Sequence, residues 1–201
     1  MRQLPLEYKN PIYVATLSLS EYLSPIFRKF RMTPNGITTL SLVFGLLAIW
    51  CLRHRTAGGV FWFGIWYLVQ YFFDCMDGYY ARKYQMTSKF GDWYDHLKDT
   101  FLYAVICYVL VTQYGLLKSP VSIILIVGLA ILQYWYNGCL GVYRADPTES
   151  QGPSVMNVAR NWCTYPTESG LKRILSRLRW FGTSTCVINI WLVAIYLWYR
   201  S

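Results

Sequence analysis

Five of the ten acidic residues in this 201-residue chain are aspartates between positions 74 and 99: Asp74, Asp77, Asp92, Asp95 and Asp99. They stand where a long apolar run ends, and unpaired carboxylates at the edge of such a run are costly. The segment FDCMDGYYARKYQMTSKFGDWYDHLKD reads as two helices joined by a short turn near Gln85–Phe90. At 100° per residue, Asp74, Asp77, Gly78, Ala81 and Arg82 fall within an arc of about 140° on the first helix. On the second, Gly91, Asp95 and Asp99 drift by only about 80°. Folded antiparallel, the two helices bring four carboxylates together with small residues beside them. Such a group cannot ionise in full without compensating charge. Mg2+ or Mn2+ supplies it, because both are hard cations that prefer oxygen. Two such ions would leave coordination positions open for phosphate oxygens. Gly78 and Gly91 remove bulk where a ligand must approach the backbone, and Arg82 can hold a phosphate in a bidentate fork. Asp92 falls at the margin of the face, and His96 reads as an interfacial residue. A competing reading makes the cluster a solvated turn in which Arg82, Lys83, Lys89 and Lys98 neutralise the aspartates. That reading accounts for the charge but not for the shared face or the glycines.

The elements that must position these residues are membrane helices. Five stretches free of charge, Met32–Leu52, Thr56–Phe73, Thr100–Leu117, Ser119–Tyr143 and Trp180–Tyr199, each have about 18 residues or more, enough to cross a hydrocarbon core of ~30 Å. The fold class expected is an all-α, polytopic integral membrane bundle of five spans. Before the first span, Leu17–Arg31 places Leu19, Leu23, Ile26, Phe27 and Phe30 at helical spacing ahead of Arg28, Lys29 and Arg31. This predicts an N-terminal amphipathic helix in the headgroup plane, bent at Pro25, with a plain juxtamembrane linker as the alternative. Residues 1–31 are thus an N-terminal arm and residues 32–201 a membrane domain with its motif at 74–99. Basic residues concentrate on one side of the five spans, and only Arg53, Arg55, Lys118 and Arg200 fall on the other. That asymmetry predicts the N-terminus and the acidic cluster on the cytosolic side and the C-terminus outside. Leu171–Arg179 reads as a basic surface helix leading into the last span. The sequence PTES occurs twice, at Pro147–Ser150 and Pro166–Ser169, with no physical account.

Composition agrees. The chain is 55% hydrophobic and only 14% charged, too little charge to cover a soluble surface of this length. Its net charge of +9 reads as basic loops against anionic lipid rather than as a nucleic-acid surface, since no nucleic-acid-binding module is present. Six cysteines without CxxC spacing, mostly in or beside apolar runs, predict small buried side chains rather than a disulfide framework or a zinc site. The first residues, MRQLPLEYKNP, lack the apolar core of a signal peptide.

The pattern Asp74-x-x-Asp77-Gly78-x-x-Ala81-Arg82, eight residues, Gly91-x-x-x-Asp95-x-x-x-Asp99 resembles the signature of the CDP-alcohol phosphotransferase superfamily at each of its defined positions. Pro34-Asn35-x-Ile37-Thr38, opening the first span, is also similar to members of this family. The resemblance covers about residues 32–115 and is only topological beyond them. It implies that Asp74, Asp77 and Asp95 ligate two divalent ions, with Asp99 joining the metal site and acting as general base. It implies that Asp77, Gly78, Ala81, Arg82 and Gly91 contact the CDP moiety, with Asn35 and Thr38 as additional nucleotide contacts. The acceptor alcohol would attack the β-phosphorus in line and CMP would leave. Members commonly have six membrane helices and form homodimers, so the sixth is missing here, re-entrant, or within Ser154–Ser176.

Two donors fit the resemblance. The compact length and Lys89-Phe90-Gly91 resemble phosphatidyltransferases that take CDP-diacylglycerol and a small polar alcohol such as inositol, glycerol phosphate or serine. Tyr94-Asp95-His96-x-x-Asp99 resembles the enzymes that join CDP-choline or CDP-ethanolamine to diacylglycerol, which are usually much longer. The CDP-diacylglycerol type is the reading adopted, with the endoplasmic reticulum as location in a eukaryote. A reading of another class is a non-catalytic membrane scaffold or a divalent-ion transporter. A transporter, however, places its carboxylates near mid-bilayer rather than at a span end.

Overall fold

The computed structural model describes residues 9–144, 163 and 168–200, and its regular structure there is helical throughout. The chain order is α1 (Pro11–Lys29), α2 (Pro34–Arg53), α3 (Ala57–Lys83), α4 (Lys89–Thr112), α5 (Pro120–Arg144), α6 (Glu168–Leu178) and α7 (Thr183–Arg200). Short 3-10 turns cover Leu116–Lys118 and Arg179–Phe181.

Three helix starts are fixed by the same device. Thr33, Thr56 and Ser88 stand in extended conformation at the N-caps of α2, α3 and α4, and each hydroxyl accepts a hydrogen bond from a backbone N–H three residues on. That satisfies one of the donors a helix start leaves free. Pro34 adds a pre-set φ at the first turn of α2. Between helices the chain reverses through Arg31, Arg55 and Gln85, each in the left-handed region.

Three segments are long and apolar enough to cross a membrane: Pro34–Arg53, Pro120–Tyr143 and the run Glu168–Arg200. On α5, Ile124, Leu125, Val127 and Ile131 face outward, an apolar surface that suits lipid. The stretches Thr56–Phe73 and Thr100–Leu117, expected as further spans, are carried by α3 and α4. Both helices continue through the charged motif, and α4 is free of charge only from Thr100 to Thr112. Most of 154–176 lies outside the described residues. The helix that follows, α6, has 11 residues, or about 16 Å, too short to cross alone. The basic helix expected at Leu171–Arg179 is α6, with Leu171, Leu175 and Leu178 buried and Lys172 paired to Glu168 at 2.9 Å. The first PTES lies outside the described residues. The amphipathic stretch before the first span is helical, with Pro25 inside α1.

The chain forms two compact units. One comprises Ala15–Ile123 and Val187–Ser201, the other Met1–Val14 and Ile124–Cys186. In the first, α2 lies along α3 over most of its length and α4 packs against α2. Ile37, Ala48, Leu52, Phe63, Met76 and Ile106 are buried there. Gly64 lets α7 approach α3 closely, because a Cβ there would fall 1.9 Å from the Trp191 ring. The Trp191 indole N–H donates to the Val60 carbonyl at 3.0 Å. In the second unit, Tyr136, Tyr143, Leu171 and Leu175 pack around a disulfide between Cys139 and Cys163, whose Cα atoms are 5.1 Å apart. This bridge corrects the expectation that all six cysteines are plain buried side chains. Cys51, Cys75, Cys107 and Cys186 take part in no disulfide among the described residues.

Candidate active site

The motif occupies two antiparallel helix ends joined by residues 84–88. Asp74, Asp77, Gly78, Ala81 and Arg82 lie on the last turns of α3, while Gly91, Asp95 and Asp99 lie on the first turns of α4. One carboxylate oxygen each from Asp74, Asp95 and Asp99 lies within 4.8 Å of the others. Asp77 stands apart from that trio. Its Oδ2 accepts a hydrogen bond from the Thr38 hydroxyl at 2.6 Å, which ties α3 to the start of α2.

Beside the trio is a cavity of about 200 Å³. Asn35, Thr38, Asp77, Gly78, Ala81, Arg82 and Gly91, each a nucleotide contact implied by the sequence motif, all line it. Asp95 lines it too and belongs to both groups. Arg82 folds back over Gly78, where an added Cβ would meet its guanidinium at 3.2 Å. A Cβ on Gly91 would come within 2.8 Å of Asn35 Oδ1, so the second glycine lets α4 close onto the start of α2. Asp99 does not line this cavity. It is the most exposed of the trio, its side chain 46% accessible.

Lys98 is the residue whose importance the sequence reading did not anticipate. Its side chain is wholly buried, and its ammonium pairs with Asp74, with Asp95 at 2.9 Å and with Asp99 at 3.0 Å. It also donates to Ser41 Oγ at 3.2 Å, and the Ser41 hydroxyl donates on to the Gln70 carbonyl. The neutralising role weighed for four basic residues falls to this one alone among the described ion pairs of the cluster. A signal was present: on the wheel Lys98 projects about 20° from Gly91, on the face that carries Asp95 and Asp99. Asp92, placed at the margin of that face, lines the cavity while remaining exposed and lies 3.8 Å from His96. Met86, Thr87 and Ser88 from the connecting turn complete the wall.

The electrostatics of the cluster follow from burial and from its own charges. Burial, reinforced by the charge of Asp95, pushes the Asp77 carboxyl up to about 7 against the opposing Thr38 hydrogen bond. Burial also raises Asp74 well above the usual carboxylate range, with Asp99 and Asp95 adding to the shift and Lys98 opposing it. For Lys98, burial works against the charge, but Asp74, Asp99 and Asp95 overcome it and raise its pKa. The donors are all hard carboxylate oxygens, and a positive charge already sits among three of them. The set therefore fits a divalent ion, with Lys98 as its internal competitor.

A model of the family described as CDP-alcohol phosphatidyltransferase matches residues 31–145, more than half of the chain. No curated protein matches it.

Proposed function

We propose, for a chain that belongs to the CDP-alcohol phosphatidyltransferase family, transfer of a phosphatidyl group from CDP-diacylglycerol to the hydroxyl of a small polar alcohol. The observation that carries this reading is the single cavity lined by all seven nucleotide-contact positions, sharing Asp95 with the Asp74–Asp95–Asp99 trio. The arrangement puts a place for the nucleotide next to a place for the charge of its diphosphate. Family members use divalent metal, and Asp74, Asp77, Asp95 and Asp99 would hold it here, where it would neutralise the diphosphate of the donor.

The protein's own groups do the rest. Arg82 holds a phosphate, while Gly78, Ala81 and Gly91 leave room for the nucleotide against the two helices. Thr38 fixes the rotamer of Asp77. Asp99, the most exposed of the trio, takes the proton of the acceptor hydroxyl as its oxygen attacks the β-phosphorus. The bond from that phosphorus to the oxygen bridging it to the α-phosphorus breaks, and CMP leaves with the electron pair. Transfer of this kind asks mainly for positioning and charge neutralisation. Of the run similar to choline-type enzymes, Asp95 lines the cavity and His96 does not.

We read α3 through Phe73 and α4 from Thr100 as crossing the bilayer together with the three apolar segments. The acidic cluster then lies at the cytosolic interface, where a water-soluble nucleotide and a lipid tail meet, in a protein that works as a homodimer. The test is CMP release from purified protein with Mg2+ or Mn2+, offering CDP-diacylglycerol or CDP-choline with a panel of alcohols. Asp99→Asn should lower the rate by about 10²–10⁴-fold, the range for a lost general base. Absence of CMP with every donor, from protein that still binds CDP and metal, would overturn the reading in favour of a non-catalytic scaffold.

A further inference from the structure

At the other end of α2, α3 and α4 is a second cavity, of about 410 Å³, and its lining is of one sign. Arg55, Lys118 and Arg200 border it together with Gln113, Tyr114 and Ser119, and no Asp or Glu takes part. These cations come from places far apart in sequence: the α2–α3 turn, the 3-10 turn after α4, and the last residue of α7. Among the described residues none of the three has a carboxylate partner. The two arginines contact neutral groups instead. The Arg55 guanidinium lies over the Tyr114 ring at 5.8 Å, and its backbone carbonyl accepts from the Trp198 indole at 3.1 Å. Arg200 reaches the Tyr196 hydroxyl at 3.3 Å and Ser119 Oγ at 3.5 Å.

Converging like charges without a counter-ion raise the energy of the ligand-free state, so the arrangement favours an anion. Gln113 lines the cavity as well, a neutral polar group beside the three cations. Gln113 follows Asp99 by 14 residues, most of them on α4, so this cavity lies about 21 Å from the acidic trio. It is a separate site. Of the four basic residues that the five-span reading leaves on this side, three meet here. Tyr196, Trp198 and Tyr199 beside them are the residue types that mark the headgroup level of a bilayer.

We propose that this cavity binds a phosphate group, as the headgroup of an anionic phospholipid presents it. Guanidinium and ammonium groups pair with the phosphate oxygens. The proposal does not depend on the transfer reaction.

The test measures thermal unfolding of the full chain in detergent with added phosphatidylglycerol, phosphatidylcholine or inorganic phosphate. The wild type is compared with Lys118→Gln and with Lys118→Gln/Arg200→Gln. Phosphatidylglycerol should raise the midpoint where phosphatidylcholine does not. The double variant should need about tenfold more of the lipid or worse, having lost two charge-assisted partners. Lys118→Gln, an exposed change, should show a smaller loss in the same direction, and Mn2+ binding should be unaltered in both. A response to phosphatidylglycerol alone supports the site with lipid as the source. An equal response to inorganic phosphate supports it with the soluble anion as the source. Equal shifts with phosphatidylcholine, or an unchanged response in the variants, would overturn the proposal.

Discussion

Lys98 decides the energetics of the carboxylate trio. Removing one partner of a fully buried ion pair typically costs about 3–5 kcal/mol, and the partial exposure of the three carboxylates puts the cost here below that range. Here three carboxylates within 4.8 Å would lose the same cation. Lys98→Met should therefore lower the melting midpoint of metal-free protein and, in the same variant, tighten Mn2+ binding by about tenfold or more, since an ion no longer competes with the ammonium. The two effects have opposite signs, so they separate this role from general destabilisation. A melting series with and without Mn2+ reads both at once. Weakened Mn2+ binding would show that Lys98 supports the ion, and unchanged binding would show that the two do not compete.

At the scale of elements, the site depends on how closely helices approach one another. Gly64 sits where the Trp191 ring of α7 crosses α3, and Gly64→Ala should destabilise by about 1–3 kcal/mol through overpacking. Gly58, on the same helix, has nothing within 4 Å of an added Cβ. Gly58→Ala should be neutral or stabilising by up to about 1 kcal/mol, from helix propensity alone. Unfolding followed by tryptophan fluorescence distinguishes the two, and equal behaviour would remove the α3–α7 contact from the account. This contrast also shows where legibility stops. The wheel placed Asp74, Asp77, Asp95 and Asp99 on facing surfaces because helical periodicity fixes direction within an element. The same wheel carried Lys98 on that face, but a lysine head can swing outward or inward, and only the buried Ser41 and the aspartates across the helix pair decide. Asn35 and Thr38 line the cavity because α2 starts beside α4, a relation supplied by family resemblance rather than by periodicity. The Cys139–Cys163 bridge joins positions separated by 24 residues, and no spacing rule among six cysteines selects that pair.

For the molecule as a whole, the number of times residues 34–119 cross the bilayer decides which side each cavity faces. Three apolar segments alone would leave everything between α2 and α5 on one side. The acidic cluster and the basic cavity would then face the same solution. Crossing by α3 and α4 as well puts the α2–α3 turn and residues 113–119 on one side and the α3–α4 turn on the other. The energetics favour the second arrangement. The apolar part of α3 runs without a charge from Ala57 to Phe73, and α4 extends its uncharged turns from Thr100 toward the 3-10 turn at Leu116–Lys118. Those segments would otherwise hold Phe61, Trp62, Phe101 and Tyr108, all outward-facing, against water. Single cysteines at His54, Lys89 and Leu117, each an exposed position, can be placed in a background lacking Cys51, Cys75, Cys107 and Cys186. Labelling sealed vesicles with a membrane-impermeant maleimide should modify His54→Cys and Leu117→Cys from one side and Lys89→Cys only from the other. If all three react from the same side, α3 and α4 do not cross, and the lipid bound at the basic cavity would belong to the leaflet on which the nucleotide arrives.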